Sequence, residues 1–353
     1  MHVNSGHPLP PMPENPDLLR PVIPVAYPLL LLDILREHGV AIEPLIADCG
    51  IYRHDLENVE GRITPTQFAQ LVTLGEQLSG HPALGYEMGL RMRLTTHGDL
   101  GYALLSSSTL GDALSLGQKF MPLRSRALHM RHRTEGEHVV IEFSERFDLG
   151  PLRQFTFESL LIGLYRAAHW LQGGVPIHIN VDWPRPDYHA RYEQAIPPMQ
   201  FNQATVQLRL PVRALQIPLA QADATAARQA VQRCERELAL LDEYRTTTER
   251  LYQLLQDHPG RYPDLETCAQ RLLLSTRTLK RRLQDEGVCY QKILDDVRLR
   301  DARRLLKTTQ LGLEEIARLL GYADPANFSR AFRKWTGSPP RAYREQRSSS
   351  QAG

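Results

Sequence analysis

The 353-residue chain has only four cysteines, Cys49, Cys234, Cys268 and Cys289, and no two of them form a CxxC pair. That spacing suits a reducing compartment and argues against a zinc site or a disulfide framework. Long hydrophobic runs are missing as well. Residues 29–32 are apolar, but Asp33 and Arg36 follow at once, far short of the roughly 20 apolar residues that a bilayer span requires. With no signal peptide ahead of them, a cytoplasmic protein without membrane contact is expected. The sequence also lacks a phosphate-binding loop, a catalytic carboxylate pair and a nucleophile–base motif. No enzyme activity, cofactor or metal is therefore assigned. Ser106, Ser107 and Ser108 have no nucleophile-elbow glycines around them and suit turn and cap positions better.

What the sequence does contain is a repeat. Residues 265–272 read LETCAQRL and residues 313–320 read LEEIARLL, so Ala269 and Leu272 align with Ala317 and Leu320. After a short break, Leu279 and Leu283 align with Phe328 and Phe332, at an offset larger by one residue. Each copy is a pair of short helical patterns around a tight turn, with a small residue where the helices must approach, which is the outline of a helix-turn-helix. The second helix of each copy has its own start signal. Ser275 and Thr276 open one, and Asp324, with proline next to it at the first helical position, opens the other. With Leu279 and Leu283 buried, Arg277, Lys280, Arg281 and Gln284 turn outward; with Phe328 and Phe332 buried, Ala326, Ser329, Arg330 and Arg333 do so. These outward faces are the candidate DNA-reading surfaces.

Charge is segregated in the same way. Residues 245–347 hold 21 Lys and Arg against 13 Asp and Glu, a net of +8, which leaves −6 for the rest of a chain whose total is +2. A basic domain of this kind is the electrostatic footprint of a DNA binder, because Lys and Arg release counterions from the phosphates they contact. Between the two copies, Ile293, Leu294, Val297, Ala302, Leu305 and Leu306 recur at helical spacing over 290–308. One long helix there would set the distance between the two recognition helices. To enter successive major grooves they must sit about 34–36 Å apart.

The run from Leu272 through Ser275-Thr276-Arg277-Thr278-Leu279-Lys280-Arg281-Arg282-Leu283 to Glu286-Gly287, then Arg298-Leu299, Ile316-Ala317, Leu320-Gly321-Tyr322, Phe328-Ser329-Arg330-Ala331-Phe332-Arg333-Lys334-Trp335 and Gly337-Ser338-Pro339-Pro340 resembles the DNA-binding domain of the AraC/XylS family of bacterial transcription regulators. The resemblance covers about a hundred residues. It implies that Arg277, Lys280 and Arg281 reach base edges in one major groove and that Ala326, Ser329 and Arg330 sit in the next. It also implies promoter DNA and RNA polymerase as partners. Leu273 departs from the pattern, since the family often has glycine or another small or polar residue there, as this chain does at Gly321.

Ahead of the basic domain, about 240 residues are enough for one further core. Residues 1–17 contain five prolines and little periodic hydrophobicity, the composition of a mobile leader. The segment 24–122 reads as short helices, with starts at Thr64-Pro65-Thr66-Gln67 and Thr109-Leu110-Gly111-Asp112. From Ser125 the period changes. Segments 127–133, 138–144, 177–183 and 205–210 alternate like strands, interrupted by a helix over 152–171. The expected fold is thus an α+β N-terminal sensor domain followed by an all-α C-terminal domain with two helix-turn-helix units joined by a long helix. The expected organisation is a leader at 1–17, a sensor at 18–221, a helical connector at 222–247, the DNA-binding domain at 248–347 and a tail at 348–353.

Residues 98–114, GDLGYALLSSSTLGDAL, are similar to the N-terminal domain of a subgroup of the same family named for arabinose binding. That similarity implies a small-molecule effector without identifying it. Phe155, Tyr165, His169, Trp170 and Trp183 are the candidate pocket residues, since pockets are mostly apolar with a few orienting polar groups, although each also suits a plain core. Phe157 lies two positions from Phe155 on a helix and cannot share its face. His129, His132 and His138 do not make a metal site, because i and i+3 point to opposite faces of a strand. The apolar stripe of 222–243 suits either a homodimer interface or a packed connector.

Overall fold

The computed structural model describes residues 20–344 except 147–148, 173, 244–245, 257, 259 and 310. The leader expected at 1–17 and the tail at 348–353 lie outside the described residues. Contacts divide the chain into two units that meet between Leu238 and Ala239.

The first unit begins with a short ribbon of β1 (Ile23–Pro24) against β2 (Arg62–Ile63). Around it lie α1 (Ala26–Glu37), α2 (Ile42–Asp48), α3 (Arg53–Glu57), α4 (Pro65–Ser79), α5 (Leu84–Arg91), α6 (Gly98–Leu105) and α7 (Leu110–Phe120). Both expected start signals act as caps. Thr64 accepts from Gln67 N and Thr109 from Asp112 N, each at 3.1 Å, and each is answered by the side chain three residues on. Such reciprocal capping satisfies two backbone donors that no helical carbonyl can reach.

A mixed sheet follows, in the spatial order β3 (Leu128–Glu135), β4 (His138–Glu145), β7 (Val206–Pro211), β5 (His178–Asn180), β6 (Met199–Gln200). All neighbours are antiparallel except β5 and β6. Alternation sends Val139, Ile141 and Phe143 of β4 and Val206, Leu208 and Leu210 of β7 into one core, which α8 (Leu152–Gln172) covers through Phe157 and Leu161. A separate core gathers α1, α2 and α4 around Leu31, Leu35, Leu45 and Leu71. After α9 (His189–Tyr192), α10 (Ala224–Glu243) is the chain's path out of this unit. Its stripe is buried at Ala230 and Cys234, and Arg233–Asp99, Lys119–Glu235 and Arg124–Glu237 ion pairs tie it to the first unit.

The second unit consists of α11 (Thr247–Gln256), α12 (Leu265–Arg271), α13 (Thr276–Asp285), α14 (Tyr290–Thr308), α15 (Leu313–Leu319) and α16 (Pro325–Thr336). Its apolar residues form two small cores. One contains Cys268, Ala269, Leu279 and Leu283, the other Ile316, Ala317, Phe328 and Phe332. The helix α14 joins them, giving Ile293, Leu294 and Val297 to the first and Ala302, Leu305 and Leu306 to the second.

The two turns are built alike. Leu274 N donates to Ala269 O and Tyr322 N to Ala317 O, both at 2.9 Å, and the residue before each donor has left-handed backbone: Leu273 at φ 57° and Gly321 at φ 73°. A side chain with a Cβ is disfavoured in that region by roughly 1–2 kcal/mol. Leu273 is 91% exposed and gains no packing in return. Leu273→Gly is therefore expected to raise the denaturant midpoint of the second unit, by up to about 1 kcal/mol after the flexibility of glycine in the unfolded chain is discounted. An unchanged or lower midpoint would show that the turn is not strained.

Candidate nucleic-acid interface and ligand cavity

The start of α13 is fixed by Ser275, whose Oγ accepts from Thr278 N at 3.1 Å, and that of α16 by Asp324, whose carboxylate accepts from Ala326 N at 2.8 Å. Thr276 and Pro325 take the first helical positions. Because Leu279 and Leu283 are buried, Arg277, Lys280 and Arg281 stand exposed on one face of α13, and among the described residues no ion pair engages them. On α16, Ala326 and Arg330 are exposed and Ser329 is half-buried, with Arg330 donating to Asn327 one turn back. The periodicity argument thus puts all six side chains outside the cores of their own units. Ser329 is the least accessible of them.

The separation of these faces is held by more than α14. The Arg298 guanidinium lies 4.7 Å from the ring centre of Tyr322 and 5.5 Å from that of Tyr262, residues belonging to different cores. Tyr262 also donates to the buried carboxylate of Asp301 at 2.7 Å, which Arg300 pairs at 2.8 Å. At Gly260 the backbone comes so close to α15 that a Cβ would lie 2.4 Å from Leu319 O. These contacts make the two helix-turn-helix units one piece, with α14 about 28 Å long at 1.5 Å per residue.

In the first unit a cavity of about 280 Å³ opens between the helical core and the sheet core. Its walls are mostly apolar, with Met130 and Ile141 from the sheet, Leu160 and Leu164 from α8 and the rings of Phe68 and Phe155. Among the described lining residues the charged ones are two arginines, Arg124 and Arg126. Arg124 lies in the turn before β3, with only 11% of its side chain exposed; it donates to both carboxylate oxygens of Glu237, at 3.1 and 2.8 Å, while its buried Nε has no partner. Glu237 is paired from its other side by Arg62, which also donates to Val22 O at 2.9 Å. Tyr27 and His97 share a 2.8 Å hydrogen bond on the same wall. Burial, aided by the charge of Arg124, pushes the His97 imidazole down to about 4, so it is neutral at pH 7.

Of the expected pocket residues, Phe155 lines this cavity and the other four do not. The α8 face that lines it runs through Leu152, Thr156, Ser159, Leu160, Leu164 and Leu171, a helical stripe that Tyr165, His169 and Trp170 fall outside. Tyr165 and His169 stack on each other at 5.9 Å, and Trp170 is 59% exposed. Trp183 packs against Phe157 at 6.3 Å, and the Arg153 guanidinium lies 5.0 Å from Phe157 and 5.8 Å from Trp183 while pairing with Glu145 and Asp182. That is a structural cluster.

Reading along the chain missed Tyr27, His97, Arg124 and Glu237, which lie on four separate segments with no common period. It also missed the group His38, His81 and Glu87, whose ligand-type atoms lie within 4.8 Å of one another. There Glu87 is already paired with Arg91 and accepts from Tyr192, and the rings of His38 and His81 stack at 4.2 Å. The histidines of β3 and β4 do not converge: the strands pair regularly, with His129 opposite Ser144, His132 opposite Ile141 and His138 opposite Glu135.

Comparison with known proteins gives a consistent picture. Residues 39–219 match the family described as the arabinose-binding domain of AraC transcription regulator, and residues 268–346 match a helix-turn-helix domain family. The ornithine utilization regulator of Pseudomonas aeruginosa is 37% identical over 327 residues, 92% of this chain and 96% of that protein. The transcriptional activator RhaS of Escherichia fergusonii is 38% identical over 119 residues, 33% of this chain and 43% of its own. A crystal structure of the regulator CdpR from Pseudomonas aeruginosa aligns over 90% of this chain and 98% of its own, with 26% identity and a TM-score of 0.43. Among the described residues no helix is long and apolar enough to cross a membrane.

Proposed function

This chain belongs to the AraC family of DNA-binding transcription regulators, and from that premise we propose that it is an effector-responsive, cytoplasmic activator of a metabolic operon. Residues 18–221 take up a small metabolite, residues 248–347 hold promoter DNA, and the connector over 222–247 carries the influence of one on the other. The observation that supports this reading best is the pair of capped helices with exposed cationic faces, joined by α14 and the contacts of Arg298. Arg277, Lys280 and Arg281 read bases in one major groove and Ala326, Ser329 and Arg330 in the next, while Ser275, Thr276 and Asp324 set the starts of the helices that carry them.

The effector reading rests on the cavity. The relative at 37% identity is named for ornithine utilization, and the charged residues among the described lining of this chain's cavity are Arg124 and Arg126. RNA polymerase is the further partner an activator requires. A homodimer is a further partner of this reading, since the stripe of α10 is buried at Ala230 and Cys234 but only half-buried at Ala226, Ala227, Val231 and Leu238.

The test is binding of the full-length protein to DNA upstream of its own and neighbouring genes, against random DNA, at two salt concentrations. Selective binding with a steep salt dependence is expected, because several phosphate contacts each release about 0.9 counterion. Arg281→Ala should cost on the order of 1–3 kcal/mol on the preferred sequence and relax selectivity at one base position. An equal loss on random DNA would show that Arg281 touches phosphate only.

A further inference from the structure

Resting on the reading of the cavity as the effector site, we infer that its ligand is an amphipathic anion, an apolar body with a single carboxylate-like head, and that the head takes Arg124 from Glu237.

The walls set the body. Aliphatic side chains from the sheet and α8 offer an alkyl, alicyclic or aromatic body nothing to hydrogen-bond and much to cover. The polar wall sets the head. Arg124 is nearly buried, and its Nη2 already donates to both oxygens of a carboxylate while its buried Nε has no partner. A guanidinium in that state recognises a planar anion and repels an ammonium group. His97 is neutral, and among the described lining residues the charged ones are the two arginines.

The place of the competing carboxylate gives the recognition its consequence. Glu237 is on α10, the helix that leads into the second unit. It is shared between Arg124 and Arg62, so an arriving anion exchanges one carboxylate for another on Arg124 and leaves Glu237 with Arg62 alone. A ligand shifts an equilibrium only through a difference in its affinity for two states. The state in which Arg124 has released Glu237 is the one an anion prefers, so its binding loosens one of the ties that hold α10.

The test uses three eight-carbon probes on the full-length protein: octanoate, 1-octanol and octylamine, compared by calorimetry. Octanoate should bind at least tenfold more tightly than 1-octanol, and octylamine more weakly than either. Arg124→Gln should remove the preference for octanoate and leave 1-octanol binding intact. Glu237→Gln, which removes the competitor and keeps the guanidinium, should tighten octanoate several-fold. Hydrogen exchange along residues 230–238 should quicken with octanoate and not with 1-octanol. Equal binding of octanoate and 1-octanol would overturn the anion assignment while leaving the cavity as a ligand site, and no binding by any probe would overturn both. Unchanged octanoate affinity in Glu237→Gln, or unchanged exchange along α10, would overturn the exchange of partners on Arg124.

Discussion

Replacing Phe328 by alanine is expected to destabilise the second helix-turn-helix unit by about 3–5 kcal/mol, the usual cost of truncating a buried phenylalanine. The ring is fully buried, 5.8 Å from the rings of both Phe332 and Tyr322, and Phe332 in turn packs on Tyr343 at 5.4 Å. Among the described residues the core it belongs to has eight buried members, three of which α14 supplies. So small a core has little capacity to close the cavity. The first helix-turn-helix unit has its own core around Leu279 and Leu283 and does not rely on Phe328. In hydrogen exchange on the full chain, protection of 313–336 should fall sharply in Phe328→Ala while that of 265–285 is largely kept. Specific DNA affinity should fall with it, since Ala326, Ser329 and Arg330 are carried on the same helix. Undiminished protection at 313–336 would mean that the buried and exposed faces of α16 have been taken the wrong way round.

That assignment of faces came from spacing alone, and the second unit as a whole was readable because its signals are local. Caps lie within three residues of what they cap, and an i, i+4 pair marks a buried stripe without help from the rest of the chain. The helix expected over 290–308 is observed at those residues, and both turns repeat the same hydrogen bond. In the first unit the capping boxes at Thr64 and Thr109 and strands β3, β4 and β7 were legible for the same reason, whereas the strand expected over 177–183 is confined to His178–Asn180. The two-residue strands β1, β2 and β6 were not, since two residues cannot display a period. Nor was the cavity. Its lining comes from segments between Val22 and Leu215, and its α8 face consists of leucines, alanines and small polar residues. Aromatic content therefore pointed away from it: apart from Phe155, the aromatic candidates serve packing or the surface. Arg124 stands out only when its burial, its unpartnered Nε and its carboxylate partner are seen together.

Replacing Glu158 by glutamine is expected to stabilise the first unit at pH 8 by on the order of 3 kcal/mol and to turn a shallow pH profile into a rising one. The carboxyl is 1% exposed, and burial pushes it up to about 7 despite hydrogen bonds from Gln154 at 2.9 Å and Tyr188 at 2.7 Å. Between its usual value of 4.5 and about 7 the folded chain holds a proton that the unfolded chain has lost. The stability that this proton supplies is complete below 4.5 and gone above 7, so it falls as pH rises. His97 acts in the opposite sense. Its folded value of about 4 lies below its usual 6.5, so the unfolded chain holds the extra proton and stability rises with pH across that window. Burial raises Glu76 as it does Glu158, and it lowers His81 and His189 as it does His97. Over pH 4.5–6.5 the two sets oppose each other, and the native protein should show a shallow profile from groups that are each strongly perturbed. Glu158→Gln removes one side of that balance and keeps an acceptor for Gln154 and Tyr188. Its unfolding free energy should therefore climb from pH 4.5 to 6.5, starting close to the native value and diverging upward, at up to about 1.4 kcal/mol per pH unit for each proton difference. Denaturant melts at half-unit intervals of pH would measure this. Parallel profiles for the two proteins would mean that Glu158 is ionised in the fold at neutral pH and that an opposite charge compensates its burial.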